Sequence, residues 1–292
     1  MASMKKKIDF FDIVNYVFLV IIAVIMLYPF VNAIAISFST YDGYLKNPFM
    51  VITTEWSLEG FKYVFKNGLI MRSYGNTVFV VVSATLLGLF FTIIMAYPLS
   101  KRNLRGKKVF MYLLIFTMMF NGGLIPNFYL IKSLGWLDKY WALIIPGALG
   151  AYNVILMKSF FEGIPSSLVE AAKIDGASDI TVLVKIMLPL STPIIATIAL
   201  FIAVGQWNNF FNALIYMRSP QKWTLQLVLR EILMSAQTQL LSVAGDTANL
   251  NTIPPETLRY ATLVVSVVPI MCVYPFLQKY FVQGITLGAV KG

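Results

Sequence analysis

Histidine is missing from the chain altogether, and Cys272 is its one cysteine. Metal centres built on those ligands, Cys–His nucleophile pairs and intrachain disulfides are therefore excluded. Charge is scarce as well. Asp, Glu, Lys and Arg supply 12% of the residues, where a soluble domain carries about a quarter. No Gly-x-x-x-x-Gly-Lys-Ser/Thr phosphate loop occurs, so the chain is not expected to hydrolyse ATP itself. Tandem repeats and low-complexity tracts are lacking too.

What fills the 292 residues is apolar: 58% of them, with a mean hydropathy of +0.75. The apolar residues fall into six runs, at about 13–38, 74–100, 109–131, 141–161, 190–217 and 260–281. Each is long enough to cross a bilayer as a helix. The first is too long for a signal-peptide core and lacks a small-x-small cleavage site, so it reads as a retained anchor. The interiors of these runs are nearly free of ionisable groups; Lys158 and Lys279 fall within a turn of the drawn ends of the fourth and sixth. Ionisable residues at membrane depth are the usual mark of proton or sodium coupling. An ion-coupled secondary transporter is thereby weakened as a reading.

A net charge of +10 invites a nucleic-acid interpretation, but the cations sit beside the apolar runs. Lys5 to Lys7 precede the first run, and five cations crowd into 101–108 after the second. Such placement sets membrane orientation, with the cationic side cytoplasmic. Six spans put both termini on that side and turn 39–73 and 218–259 outward. Three parts result: 1–73 with the first span and first external loop, a core at 74–281, and a cytoplasmic tail at 282–292. Within 218–259, the stretch from Thr224 to Gln239 has helical character.

One polar stretch, 162–189, interrupts the core on the cytoplasmic side. Pro165 is expected to stop the preceding helix, with Ser167 and Glu170 forming a capping box. A short helix then runs to Asp175, and Gly176 suits the left-handed residue that closes a helix. Ser178-Asp179 offers a second start, ending at Pro189. Two short helices bent at a glycine, with Ala171, Ala172 and Ala177 keeping the bend small, can enter a cleft in a partner.

Uncharged polar residues at depth are densest at Gln206-Trp207-Asn208-Asn209-Phe210-Phe211-Asn212. An amide left unpaired in a dry site costs about 1–3 kcal/mol, so these side chains require a partner, a neighbouring helix or water. Amides beside aromatic rings suit sugar hydroxyls and the apolar face of a sugar ring; glue between helices is the alternative. Asn153 and Asn121 are lone amides in the fourth and third spans and weaker candidates for the same pathway.

Glu170-Ala171-Ala172, followed by Asp175-Gly176-Ala177 and Ile186-x-Leu188-Pro189, resembles the cytoplasmic coupling loop of permease subunits of binding-protein-dependent ABC importers. Gln206 to Phe210, Gly122 to Pro126 and Trp141 to Gly147 are similar to oligosaccharide permeases of the maltose type. The ending, with Gly288, Val290, Lys291 and Gly292, is similar to the tail that in that subfamily reaches between the ATPase subunits. This resemblance implies an all-α membrane protein with six transmembrane helices, the type I ABC importer (MetI-like) fold, and cytoplasmic coupling helices. It implies a non-catalytic subunit of the bacterial inner membrane that forms half of a translocation pathway. Its partners are then a second homologous permease, an ATPase dimer that alone binds ATP and magnesium, an extracellular solute-binding protein, an oligosaccharide and membrane lipid, with no nucleic acid. A permease for a non-sugar solute keeps the coupling loop and stays open as the alternative.

Overall fold

The computed structural model describes residues 10–66, 68–243 and 256–272. Those residues are helical throughout apart from turns and one isolated bridge between Ser39 and Trp56, with no strand among them. By packing, the chain divides into two units, residues 1–67 with 231–267 and residues 68–230 with 268–292.

In the first unit, α1 (Phe10–Ser37) is exposed along almost its whole length, with burial confined to its last turns at Ala33, Ala35, Ile36 and Ser37. Two short helices follow, α2 (Tyr41–Lys46) and α3 (Glu59–Lys66). A small core of Ala35, Ile36 and Met50, joined by Tyr44 and Tyr260, holds this unit together.

The second unit is built on α4 (Gly68–Ser100), a helix of 33 residues. Its buried face runs Ala84, Gly88, Thr92, Ala96, one small residue every fourth position. That spacing puts all four on one stripe, and small residues let neighbouring backbones approach closely in a membrane. At Gly88 the approach is tightest: an added Cβ would lie 2.7 Å from Ile202 Cδ1 and 2.9 Å from the Ala148 carbonyl oxygen. Around this stripe pack α7 (Trp141–Ile144), α8 (Ala151–Gly163) and α11 (Thr192–Trp207). Between α8 and α11 lie α9 (Ser166–Ile174) and α10 (Asp179–Leu190).

Continuous third, fourth and fifth spans were the expectation, and all three are broken. The third divides into α5 (Lys107–Met119) and α6 (Leu124–Ser133), which meet at 110°. Asn121-Gly122-Gly123 lies in that corner, with Gly123 at φ +84. The fourth breaks after α7 at Pro146-Gly147, and the fifth at Asn208-Asn209 before α12 (Phe211–Tyr216). A hydropathy window counts apolar residues and is blind to such a break. Two described helices, α1 and α4, are long and apolar enough to cross a membrane singly, or up to four spans if each bent pair counts as one. The sixth run is helical over 256–272, and its remainder lies outside the described residues, as does Lys279.

The insertion drawn at 218–259 is not aqueous from its start. Its first residues pass through a single 3-10 turn, Pro220–Lys222, into α13 (Leu225–Val243). Thr224, Leu225, Leu227 and Val228 are buried, and Leu227 belongs to the main core.

Gly88→Val is expected to lower the detergent-solubilised melting temperature, since overpacking against backbone costs about 1–3 kcal/mol. Gly75→Val on the same helix, where no atom lies within 4 Å, serves as the control and is expected to leave it nearly unchanged. Equal behaviour of the two variants would contradict the close approach at Gly88.

Candidate functional site

The polar stretch between α8 and α11 folds into a bent elbow. Pro165 holds φ −55 and ψ 127 immediately before α9, which begins at Ser166 with no side-chain cap. Ser167 therefore sits inside the first turn, and the expected capping box with Glu170 does not form. With Pro165 in the cap position, the helix starts two residues earlier than a Ser167 cap requires.

The closure of α9 follows the expected chemistry. Asp175 is the C-cap and Gly176 adopts φ +81. The Ala177 N–H donates to the Ala172 carbonyl at 2.9 Å, and the Gly176 N–H to the Lys173 carbonyl at 3.1 Å. These are the two bonds of a Schellman motif, which satisfies carbonyls that a helix end leaves free. Ser178 then caps α10, its side chain accepting from the Thr181 N–H at 3.2 Å. Further along, Leu183–Met187 forms a π turn, in which the Leu188 N–H reaches back to Leu183. Pro189 follows directly and has no N–H to continue the ladder.

The elbow has two faces. Val169, Ala172 and Ala177 pack against the main core. Glu170, Ala171, Lys173, Ile174, Asp175 and Gly176 face away, and Ile174 is 87% exposed. Ile180 and Leu168 are exposed apolar residues nearby. A loop of mixed charge with bare isoleucines is what a docking surface presents before it is covered.

Cations from 101–108 hold the elbow at two points, its entry at Glu162 and the start of α10 at Asp179, a role beyond the orientation signal read from sequence. Lys101 pairs with Asp179 at 2.6 Å and lies 4.6 Å above the Tyr97 ring. The Tyr97 hydroxyl donates to the Asp179 carbonyl at 3.1 Å. The Lys101 hydrogen bond, then its charge, holds the Asp179 carboxyl below its ordinary range. At the other end, Glu162 bridges Lys107 and Lys158, each at 2.8 Å. Burial pushes the Glu162 carboxyl up, but the two lysine hydrogen bonds outweigh it and leave the group below its usual value. Lys158 is thus engaged at the mouth of α8 and is not a lone charge at depth. Exposed pairs of this kind contribute little energy; their effect is to fix where the elbow stands.

The amide cluster is placed as follows. Trp207 is buried at the end of α11, its ring edge-on to Tyr74 at 5.7 Å. Gln206 lies against the break in the fourth span: a Cβ at Gly147 would meet its amide nitrogen at 2.7 Å. Asn153 flanks the other side of that break, beside Gly150. Asn208 donates to the Val204 carbonyl of its own helix at 3.0 Å, and Asn209 accepts from the Asn212 N–H at 3.1 Å, opening α12. Asn121 accepts from the Gly123 N–H at 2.9 Å in the corner between α5 and α6. Gln206 and Asn153 are thus gathered at one break, while Asn121 turns a different corner. The tail residues Gly288, Val290, Lys291 and Gly292 lie outside the described residues.

Asp138 lies between α6 and α7, and nothing in its local sequence marks it. It holds φ +59 while its carboxylate accepts from the Arg218 and Ser219 N–H groups, the Ser219 hydroxyl and the Lys222 ammonium, all within 3.0 Å. Burial raises this carboxyl, yet those four donors hold it far below the usual range. Asn76 of α4 completes the clasp, accepting from the Tyr140 hydroxyl and donating to the Gln221 and Trp223 carbonyls. A crevice of about 290 Å³ lined by Phe79, Tyr140, Trp141 and Lys139 opens beside it.

Comparison with known proteins agrees across the chain. Residues 88–287 match the family described as binding-protein-dependent transport system inner membrane component. The polygalacturonan/rhamnogalacturonan transport system permease protein YtcP of Bacillus subtilis (strain 168) is 44% identical over 99% of this chain and 100% of its own. Protein LplC of the same organism is 46% identical over 97% of this chain and 95% of its own. Among solved structures, a chain of a bacterial ABC transporter involved in import of the acidic polysaccharide alginate superposes with a TM-score of 0.85 at 34% identity, covering 96% of this chain and 100% of that one.

Because the Asp179 carboxyl is held below its ordinary value of 3.8, its hold on the elbow is full above that pH and is lost as pH falls through the lower folded value. At neutral pH, Asp179→Asn is expected to speed amide hydrogen exchange across 173–182, and acidification of the unmodified chain to lower the protection factors of the same amides relative to their intrinsic rates. Unchanged exchange in the variant would remove Lys101–Asp179 as a positioning contact.

Proposed function

The chain belongs to the family of binding-protein-dependent transport system inner membrane components, and from that premise we propose how it works. It is a permease subunit of an ABC importer for oligosaccharides. A carbohydrate cargo, of acidic type, is supported by the named cargoes of YtcP and of the alginate importer. Glu170, Ala171, Ala172, Asp175, Gly176 and Ala177 form the handle that a separate ATPase dimer grasps, and ATP with magnesium is bound by that partner. A second permease supplies the other half of the pathway, and an external solute-binding protein delivers the sugar. Both termini and the elbow face the cytosol, and 218–259 begins the outer surface that meets the binding protein. The tail, with Gly288, Val290, Lys291 and Gly292, reaches toward the ATPase.

The observation that carries this reading is the two-faced elbow. Its backbone is closed upon itself, its back is packed into the core, and its front bears a bare Ile174. Nucleotide can drive transport only by favouring one state of the permease over another, and a rigid elbow gives the ATPase something to move. Gln206 and Asn153 at the fourth-span break, with Trp207 next to Gln206 in the chain, are the side chains proposed to border the pathway. Asn208, Asn209, Asn212 and Asn121 shape the turns that hold it open. Non-helical backbone at membrane depth is tolerated where it lines a cavity or is buried in protein, which fits such a passage.

Gly176→Leu tests the handle. A bulky L-residue at φ +81 carries a strain of about 1–2 kcal/mol, although no neighbouring atom obstructs it. The variant is expected to insert normally while sugar uptake falls at least tenfold and ATP hydrolysis no longer responds to loaded binding protein. Ile174→Asp is expected to reduce co-purification of the ATPase. Full uptake by Gly176→Leu together with undiminished ATPase capture by Ile174→Asp would refute the assignment.

A further inference from the structure

Residues 47–58, between α2 and α3, are drawn by hydropathy as an aqueous loop, yet most of their exposed side chains are apolar; Asn47 and Thr54 are the exposed polar ones, and the half-buried Glu55 is paired with Lys46 at 2.6 Å. Phe49 and Ile52 are each 77% exposed, and Val51, Trp56 and Leu58 are exposed beside them. Only Met50 and Thr53 turn inward, with Met50 seated on Ala35 and Ile36. A run of bare large hydrophobes marks a surface that is normally covered.

The hydrogen bonds of this loop say what covers it. The Tyr28 hydroxyl donates to the Phe49 carbonyl at 3.1 Å. The Asn32 amide donates to the Pro48 and Met50 carbonyls at 3.1 and 2.8 Å. Helix α1 ends at Ser37, so at 1.5 Å per residue these donors lie roughly 7–14 Å back from its end. The loop therefore doubles back along the helix rather than rising away from it. Around Tyr28 and Asn32 the helix is bare on its other sides, at Leu27, Phe30 and Val31, which is the surface a membrane covers. Three successive carbonyls of the loop, at Pro48, Phe49 and Met50, are satisfied by side chains of that helix. Water would satisfy them without help; next to lipid every backbone polar group needs an internal partner. Trp56, at the rim of the loop, is the residue type that settles at the membrane interface.

We propose that 47–58 is a wedge seated in the interfacial region of the bilayer, with lipid as its partner, continuing the lipid-facing surface of α1. It fixes how deep the first unit sits. The outward side follows from the orientation given above, but burial in lipid does not depend on which leaflet is involved.

The test places a fluorophore at Ile52→Cys, and separately at Phe49→Cys, in a Cys272→Ser background of the full chain with its co-purifying subunits in phosphatidylcholine nanodiscs. Lipids carrying a nitroxide at the headgroup or high on the acyl chain are expected to quench both sites at least twofold more than a label at Lys66→Cys on α3. Strong quenching by aqueous iodide, equal to that at Lys66→Cys, overturns the wedge. Iodide quenching that disappears only when binding protein is added also overturns it, in favour of a protein partner. Sugar uptake is not read in this experiment, so its failure leaves the transport reading untouched.

Discussion

Every break in a membrane helix exposes backbone donors and acceptors that lipid cannot satisfy. That constraint organises the second unit. The corner between α5 and α6 is closed by Asn121, whose side chain takes the Gly123 N–H. The break before α12 is closed by Asn209 on the Asn212 N–H, while Asn208 takes up a carbonyl at the end of α11. At the break in the fourth span the Gln206 amide lies against Gly147. Amides that look in sequence like lining or glue are, in three cases, the repair of their own helix breaks. A passage for a polar solute needs such breaks, because a wall of unbroken apolar helices offers nothing to a hydroxyl.

What the sequence made legible follows from how local the cause is. Gly176 as the left-handed closure and Ser178 as the following cap depend on a handful of adjacent residues, and both stand as read. The capping box at Ser167 and Glu170 fails for an equally local reason, since Pro165 begins the helix first. The stripe Ala84, Gly88, Thr92, Ala96 was present at four-residue spacing and passed unnoticed inside an apolar run. Hydropathy treats all four as filler, and only the close approach of Ala148 and Ile202 gives the spacing its meaning. Long-range pairings were out of reach. Nothing near Lys101 or Lys107 in the chain points to Asp179 or Glu162, and nothing near Asp138 points to Lys222.

The two sides of the second unit are fastened differently. On the elbow side, Lys101 after α4 pairs with Asp179, whose side chain is 57% exposed, and Lys107 at the start of α5 shares Glu162 with Lys158. On the other side, one carboxylate gathers four donors from the segment entering α13, and Asn76 binds the same segment to α4. Charge-assisted bonds to a largely buried carboxylate are stronger than exposed pairs in water. The Asp138 clasp is therefore firmer than the Lys101–Asp179 pair.

Asp179 opens α10 and is tied to Tyr97 and Lys101 at the last turn of α4. Helix α4 in turn packs along α8 and α11 through its small-residue stripe. The elbow is thus tied to the end of the long helix that packs on the broken fourth and fifth spans. The small side chains on its buried face let the neighbouring backbones approach closely, most tightly at Gly88. The far end of α4 is held by Asn76, and the Gln206–Gly147 contact between the fourth and fifth spans lies beside that stripe, next to Ala148. The elbow and the breaks in the fourth and fifth runs thus meet on one helix, α4.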